Sequence, residues 1–587
     1  VAIFLPVAFM SGVIGKFFFQ FGITISSAVL LSLLEAITLI PMRCASFMET
    51  RQQSSRMARF LDSAFERLSN VYRVLLMGAL KARWPTLILA IALFVGSLSF
   101  VSVLRKEFIP SQDQSVFLMR FQTPVGNSLE ATSRAASLIE KYASERSDVI
   151  RYFTAIGGFG GGEVNTGMFF VTLKPRSERA ESQAAIMNEF REDLKEIPDL
   201  RVFIQDLSQR GFTAQRGFPV EFNIRGPDWV KLKEYSDIIV EKLGLTQTVV
   251  DIDTDYRLGQ PEVQVLPLRN QAAARGVSIE TIADTVSAAI GGVRVGKFTN
   301  GGRRYDARIR LEADERNQPK EILDLEVRNT HGELVPIKEV IEIKEVDILQ
   351  TITRRNRERS ISVFANVAPG QSQAAVLSQI QELGDKVLPE TYRLFLGGGA
   401  STFVESFESL YFVLWLGVLV AYMLLASQFN SFIHPITVLL SLPFSVTGAL
   451  AALYLFDQSL NLYSLIGIVL LMGIVKKNAI LLVEFANSKR YHDGLGVKEA
   501  LLAAGPIRLR PILMTSCATI AAALPPALAF GPGAESRIPM SIAIVGGVLV
   551  SSLFTLFVVP AAYSILSRLE SPVENTSDEG FWYDKKK

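Results

Sequence analysis

Cysteine is nearly absent. The 587 residues contain two, Cys44 and Cys517, each inside an apolar stretch, which excludes a disulfide framework and argues against a thiolate metal site. Histidine is almost as rare: His331, His434 and His492 are scattered and form no metal-ligand spacing. Neither sign of charge dominates. Sixty Lys and Arg against 58 Asp and Glu leave a formal charge of +2, so no nucleic acid is implied as a partner. No nucleophile–base pair stands out, and the chain is read as a non-enzyme. The glycine run Gly157–Gly162 lacks the Gly-Lys-Ser/Thr ending of a phosphate loop. It reads instead as a mobile loop around one aromatic, Phe159.

Apolar sequence is what the chain has in abundance: 49% of residues are hydrophobic and the mean hydropathy is +0.28. A helix needs roughly 20 apolar residues to cross a bilayer. Stretches at 21–42, 85–104, 409–427, 435–456, 511–530 and 538–567 qualify, and 461–487 does so despite Lys476, Lys477 and Glu484. The opening Val-Ala-Ile-Phe-Leu-Pro, with no Met and no signal peptide, reads as a cut through a further span. The expectation is seven full spans and one partial.

Arginine and lysine set the orientation. Segment 43–83 carries Arg43, Arg51, Arg56, Arg59, Arg67, Arg73, Lys81 and Arg83 against Glu49, Asp62 and Glu66. Loop 488–510 and the terminal Lys585–Lys587 are basic as well, and counting spans puts all three on one face, the cytoplasmic one. Residues 105–408 then lie on the opposite face, which in a Gram-negative cell is the periplasm. Met57, Phe60, Leu61, Phe65, Leu68, Val71, Tyr72 and Leu75 repeat at helical spacing among arginines, predicting an amphipathic helix over 55–80 on the inner membrane surface.

The polar segment alternates strand and helix patterns. Residues 116–122, 128–144, 149–156, 168–173, 181–195 and 201–205 read as βαββαβ, a split-βαβ, ferredoxin-like unit. A second such unit opens at Val220 and closes with a strand at 360–367, a helix at 371–386 and a strand at 393–396, with an inserted subdomain at 262–345. Two packed units imply a cleft between them.

An ionisable side chain deep in a span is costly and marks a candidate site. Lys477 stands some 16 residues into its span, and Glu484 follows seven residues later on nearly the same face. Arg508 opens the next span, with Thr515 seven residues on. The two helices are thus expected to present Lys477, Arg508 and Thr515 to a common interior. The lysine needs a carboxylate, yet no aspartate occurs in any complete span; Glu484 and Glu35 are possible partners near the cytoplasmic ends. Pro525-Pro526 and Gly546-Gly547 predict kinks or close helix contact.

These residues resemble a family. Gly473-Ile-Val-Lys-Lys-Asn-Ala-Ile-Leu-Leu-Val-Glu-Phe-Ala486 is similar to the tenth helix of RND-superfamily efflux pumps of the hydrophobe/amphiphile class. Arg508-Leu-Arg-Pro-Ile-Leu-Met-Thr-Ser516 resembles the start of their eleventh, and Phe4–Gly12 the end of their fifth. Gly226-Pro-Asp and Arg275-Gly-Val-Ser-Ile-Glu-Thr-Ile also look like the family. The resemblance implies a membrane α-helical bundle plus an α+β periplasmic domain. Its parts would be transmembrane helices at 1–45 (the first truncated), a cytoplasmic amphipathic segment at 46–84, a span at 85–104 and a porter subdomain at 105–215. A second porter subdomain at 216–261 and 346–400, a docking subdomain at 262–345, five spans within 405–568 and a cytoplasmic tail at 569–587 complete it.

It further implies a homotrimer in the inner membrane, working with a periplasmic adaptor and an outer-membrane channel. Such a pump uses no cofactor, only the proton-motive force, to export hydrophobic or amphiphilic drugs, dyes and detergents. Lys477, Thr515 and Arg508 match its proton-relay positions. Phe153, Phe159 and Phe170 fall at its aromatic drug-pocket positions, Phe159 on a switch loop that is here more glycine-rich and slightly different in length. The relay aspartates would precede Val1, so residues 1–587 alone are expected not to transport. Two rival readings are a metal-ion exporter of the same superfamily, for which the large domain offers only Met119, Met168, Met187 and His331, and a membrane-anchored sensor or binding protein.

Overall fold

The computed structural model describes residues 12–47, 56–157, 163–209, 216–528 and 533–569, together with Val1, Phe4, Ala8 and Gly531. The Phe159 position and the 570–587 tail lie outside the described residues, as does most of the segment read as a cut span.

The chain opens with α1 (Gly12–Ile37) and α2 (Leu39–Phe47), then α3 (Arg56–Lys81), α4 (Arg83–Leu98) and the short α5 (Phe100–Val103). Tyr72, Leu76 and Leu80 on one face of α3 are buried against the bundle, while Phe60, Val71 and Val74 point outward.

The first α+β unit comprises β1 (Val116–Gln122), α6 (Leu129–Glu145), β2 (Val149–Ile156), β3 (Thr166–Leu173), α7 (Gln183–Leu194) and β4 (Arg201–Asp206). Its helices begin where Ser128 and Ser182 accept hydrogen bonds from the amides of Ala131 and Ala185, the standard N-terminal use of serine. The sheet order is β2-β3-β1-β4, antiparallel throughout. Alternation divides its faces. Phe117, Met119, Phe121, Phe169 and Val171 pack under α6 and α7 with Ile139, Ile186 and Phe190. Ala155, Met168, Arg120 and Phe203 stand side by side across the other face.

The second unit comprises β5 (Val220–Gly226), α8 (Trp229–Leu245), β6 (Val249–Thr254) and an insertion before its remaining strands. The insertion rises on the antiparallel pair β7 (Leu258–Pro267) and β12 (Ile341–Leu349). It holds α9 (Arg269–Ala274), α10 (Ile279–Val286), an exposed hairpin of β8 (Val293–Asn300) and β9 (Arg303–Ile309), and the small pair β10 (Glu326–Arg328) and β11 (Leu334–Pro336). Then follow β13 (Arg354–Arg355), β14 (Glu358–Val367), α11 (Gln373–Val387) and β15 (Arg393–Leu396). Strand β14 lies between β5 and β6, and β5 between β14 and β15. The order therefore repeats that of the first unit.

The remaining helices are α12 (Gly398–Phe429), α13 (His434–Leu439), α14 (Ser441–Leu455), α15 (Leu462–Ile474), α16 (Lys476–His492), α17 (Val497–Ala527) and α18 (Ala534–Leu566). Seven helical stretches of the described residues, several joining two of these elements, are long and apolar enough to cross a membrane. Asn461 starts α15 with a reciprocal cap, taking the amides of Tyr463 and Ser464 while Ser464 Oγ accepts from the Asn461 amide. Two boundaries differ from the sequence reading. Helix α17 begins at Val497 rather than at Arg508, because the polar turn before the apolar run is itself helical and packs Leu501 and Ala504 against α3 and α16. Helix α12 begins at Gly398, one residue past the strand-closing Gly397, so 32 residues run without a break from the second unit into the bundle.

Small residues let α14 and α18 touch. A Cβ on Gly448 would stand 2.3 Å from the carbonyl oxygen of Gly546, so the backbones meet directly. By contrast, the apolar windows of Gly15–Phe47 and Arg83–Val103 are only 6% and 11% buried within the chain. Apolar helices so bare are stable only against lipid or another protein surface.

Segment 105–109 ties the bundle to the second unit. Lys106 bridges Leu460 in the α14–α15 loop, Arg105 pairs with Asp457 at 3.0 Å, and Glu107 accepts a hydrogen bond from Ser459. On its other side the Phe108 amide donates to Gln373 Oε1 at 3.0 Å, and Gln373 Nε2 donates to the Pro219 carbonyl at 2.8 Å.

Candidate functional site

Among the described residues, two places gather polar groups against apolar walls. The first is a seam between α16, α17 and α18. Thr515 Oγ1 lies 3.4 Å from Asn478 Oδ1, Asn478 Nδ2 lies 3.4 Å from Ser516 Oγ, and Ser516 Oγ lies 2.7 Å from Ser552 Oγ. Lys477 lines the same small pocket with Thr515, Thr519 and Ser551. Lys477 and Thr515 thus line one pocket, and Asn478 is bonded to Thr515 there.

Arg508 is elsewhere. Its guanidinium sits 4.5 Å over the Phe485 ring, on the turns of α17 nearer Val497, and it does not line the Lys477 pocket. Lys477 is exposed on the flank of the bundle rather than enclosed, and its neighbour Lys476 is the buried one, 3% exposed with Nζ lacking a hydrogen-bond partner among the described residues. Neither lysine forms an ion pair among the described residues. Glu484 and Glu35 are both exposed, and neither forms an ion pair with Lys477 among the described residues.

The second place is the junction of the two α+β units. Arg191 of α7 reaches Asp251 through Nε at 2.9 Å and Nη2 at 2.8 Å, and Asn366 Nδ2 donates to the Ile204 carbonyl at 2.6 Å. On the side toward the bundle lies a cleft of about 470 Å³, lined among others by Arg105, Glu107, Met187, Asp206 and Glu535. Burial raises the carboxyls of Glu107 and Asp206 above the ordinary range, against hydrogen bonds from Ser459 in the first case and from Ser111 and Ser208 in the second.

Phe153 and Phe170 are direct cross-strand partners of β2 and β3. Their ring centroids are 6.3 Å apart at 46°, and Phe153 is 54% exposed. They stand on the helix-free face of the first sheet, one register step from Met168 and Arg120. Arg120 was missed in the sequence reading, although it is the only charge within the strand Val-Phe-Leu-Met-Arg-Phe-Gln, and alternation places it on the same face as Phe170. Met119 belongs to the core under the helices, apart from Met168 on the opposite face.

Seven helical stretches apolar enough to cross a membrane, with a polar seam among them and a two-unit α+β body, are the architecture of a polytopic membrane protein. The sequence model of the AcrB/AcrD/AcrF family matches residues 1–567, and the chain belongs to that family of RND multidrug efflux pumps. It is similar to "Multidrug resistance protein MdtC" of Photorhabdus laumondii subsp. laumondii, 28% identical over 577 residues that make up 97% of this chain and 55% of that protein. The protein of the same name from Proteus mirabilis is 30% identical over 575 residues, covering 96% and 55%. That of an Escherichia coli strain is 29% identical over 581 residues, covering 97% and 56%. The chain spans about half the length of these relatives.

Proposed function

We propose that this chain forms part of the inner-membrane component of a proton-driven efflux pump for hydrophobic and amphiphilic compounds, a homotrimer acting with a periplasmic adaptor and an outer-membrane channel. The seven apolar helices are its spans, residues 105–400 its periplasmic body, and the two α+β units the walls of its substrate path, with the 262–345 insertion as the docking subdomain. The observation that carries the reading is the meeting of Lys477, Asn478 and Thr515 at one helix interface.

None of the seven apolar helices contains an aspartate. A carboxylate facing Lys477 would therefore come from the part of the family's length that this chain does not match. While ionised it would hold the Lys477 ammonium; protonation would release the lysine, and Asn478 and Thr515 would take its hydrogen bonds as the helices shift. Arg508 would hold charge at the cytoplasmic end of the path, and Phe153, Phe159 and Phe170 would line the drug site. Each step needs only a proton moving inward, with no cofactor.

The test is Lys477→Ala in the pump that contains this chain, expressed in an efflux-deficient bacterium. Dye efflux is expected to fall to background with protein levels unchanged. Efflux equal to that of the unaltered pump would overturn the reading.

A further inference from the structure

Helix α3 is apolar on two sides. Tyr72, Leu76 and Leu80 form the side buried against the bundle, where Tyr72 Oη donates to the Leu556 carbonyl at 2.8 Å. Gly505 of α17 admits this approach, since a Cβ there would stand 2.8 Å from Leu76. The second apolar side is bare among the described residues: Phe60 is 73% exposed, Val71 55%, Val74 69% and Leu75 55%. An exposed apolar strip of this length calls for a cover.

Connectivity fixes the depth of the strip. Helix α3 ends at Lys81 and α4 begins at Arg83, with Ala82 alone between them. Helix α4 opens the stretch Arg83–Val103, which is long and apolar enough to cross a membrane. With α4 as a span, the end of α3 lies where the hydrocarbon begins. Trp84, exposed on the first turn of α4, is of the residue type that settles at that level.

Positive charge runs along the same strip. Arg67 follows Phe60 by seven positions and Lys81 follows Val74 by seven, so each shares the face of its apolar predecessor to within about 20°. Both are exposed, and they stand about 21 Å apart along the axis, far enough to meet separate headgroups. The carboxylates of α3 are Asp62 and Glu66. Asp62 is held by Arg510 at 3.2 Å, and Glu66, one residue before Arg67, points about 100° away from it. Hydrocarbon contact and cations at one level suit an anionic phospholipid better than a zwitterionic lipid or an apolar protein surface.

We propose that the bare side of α3 is a docking surface for anionic phospholipid of the adjoining leaflet, a proposal that rests on the efflux reading above only in taking Arg83–Val103 as a span. The acyl chains lie on Phe60, Val71 and Val74, and the phosphates on Arg67 and Lys81.

A bimane fluorophore on Gly78→Cys tests it, with the exposed Cys44 and Cys517 replaced by Ser. Gly78 follows Val71 by seven positions, and an added Cβ there meets nothing within 4 Å. The full chain is placed in phosphatidylcholine nanodiscs containing a small share of spin-labelled phosphatidylglycerol or, separately, spin-labelled phosphatidylcholine. Phosphatidylglycerol is expected to associate about fivefold or more tightly, as judged by quenching, since each cation near an anionic headgroup contributes roughly that factor. Arg67→Gln with Lys81→Gln should bring the ratio to within about twofold of unity, and Arg67→Lys with Lys81→Arg should keep it. Raised salt should shrink it in the unaltered chain. A ratio of one in the unaltered chain, or a ratio untouched by the two Gln substitutions, overturns the proposal. Quenching by neither lipid also overturns it, because a protein surface then covers the strip. A second label on Leu89→Cys, at a position 62% exposed in α4, separates the two readings. Leu89 quenched by both lipids without the Gly78 contrast sinks the lipid proposal alone; Leu89 quenched by neither sinks the span as well.

Discussion

Lys476 and Lys477, consecutive on the first turn of α16, leave the helix on different sides: Lys476 is 3% exposed with Nζ unpartnered among the described residues, whereas Lys477 is exposed and lines the pocket shared with Asn478 and Thr515. Successive residues on a helix point about 100° apart, so one lysine can be buried while the other serves a groove. A buried cation without a partner destabilises its surroundings.

Replacing Lys476 by Met, which keeps the length and removes the charge, should therefore raise the thermal midpoint of the detergent-solubilised protein by a few degrees and leave dye efflux intact. The contrast with Lys477→Ala is the content of the prediction. A lower midpoint for Lys476→Met in a thermal-shift assay, or lost efflux, would mean that Lys476 has an anionic partner in the assembled pump.

Asn478 connects the seam, spanning from Thr515 to Ser516. Both contacts are long, so each contributes only about 0.5–1 kcal/mol to stability. Asn478→Leu should consequently shift the thermal midpoint little while cutting efflux at least about tenfold, because the apolar side chain cannot accept the lysine's proton contacts. Thr515→Ser, which keeps the hydroxyl, should transport; Thr515→Val should not. Minimum inhibitory concentrations for one dye and one detergent would check all three, and efflux by Asn478→Leu at the unaltered level would remove Asn478 from the relay.

The general type of the fold was legible in the sequence, since long apolar runs and alternating strand patterns are set by local composition. What local composition hides is where elements begin when a polar turn continues a helix. Residues 497–507 carry Lys498, Glu499 and Pro506, which read as a loop, yet burial of Leu501 and Ala504 makes the segment the first turns of α17. The lysine pair was ambiguous for another reason. Depth along a span follows from counting residues, but which side of α16 faces the bundle depends on contacts with α13, α17 and α18 that no single helix encodes. Arg120 was hidden by the strand around it: a lone charge among apolar residues carries no motif, and Arg216 and Arg257, which line the same cavity, lie 96 and 137 residues away in sequence.

The contact of α14 with α18 gives a prediction about packing alone. A Cβ on Gly546 would fall 2.3 Å from Ala452 Cβ and 2.5 Å from the Gly448 carbonyl oxygen. Gly546→Ala must then push the helices apart, at about 1–3 kcal/mol for one methyl group, and lower the thermal midpoint by several degrees. Gly78→Ala on α3, where nothing lies within 4 Å of the added atom, is the control; helix propensity predicts no loss there and a gain of up to about 1 kcal/mol. Equal midpoints for the two variants would contradict the close approach.

Glu107 supplies a pH dependence whose sign is fixed by its surroundings. Burial raises its carboxyl above the ordinary value of 4.5, and neither the hydrogen bond from Ser459 nor the charge of Arg105 fully offsets this. Between the ordinary and the raised value the folded protein holds a proton that the unfolded chain has released, so stability falls as pH rises through that window. Below it both states are protonated and the cost vanishes; above it the cost is constant. Glu107→Gln keeps an oxygen for Ser459 and cannot ionise. Its thermal midpoint should therefore match that of the unaltered protein below about pH 4, exceed it increasingly as pH rises, and then stay above it by a fixed margin. Because Glu107 lies on the segment that joins the α14–α15 loop to Gln373 of α11, the same series would report whether loosening this tie at high pH is transmitted to the second unit: protease sensitivity of α11 should rise with pH in the unaltered protein and stay flat in Glu107→Gln. Midpoints that run parallel across the whole pH range would show that Glu107 is not the group responsible.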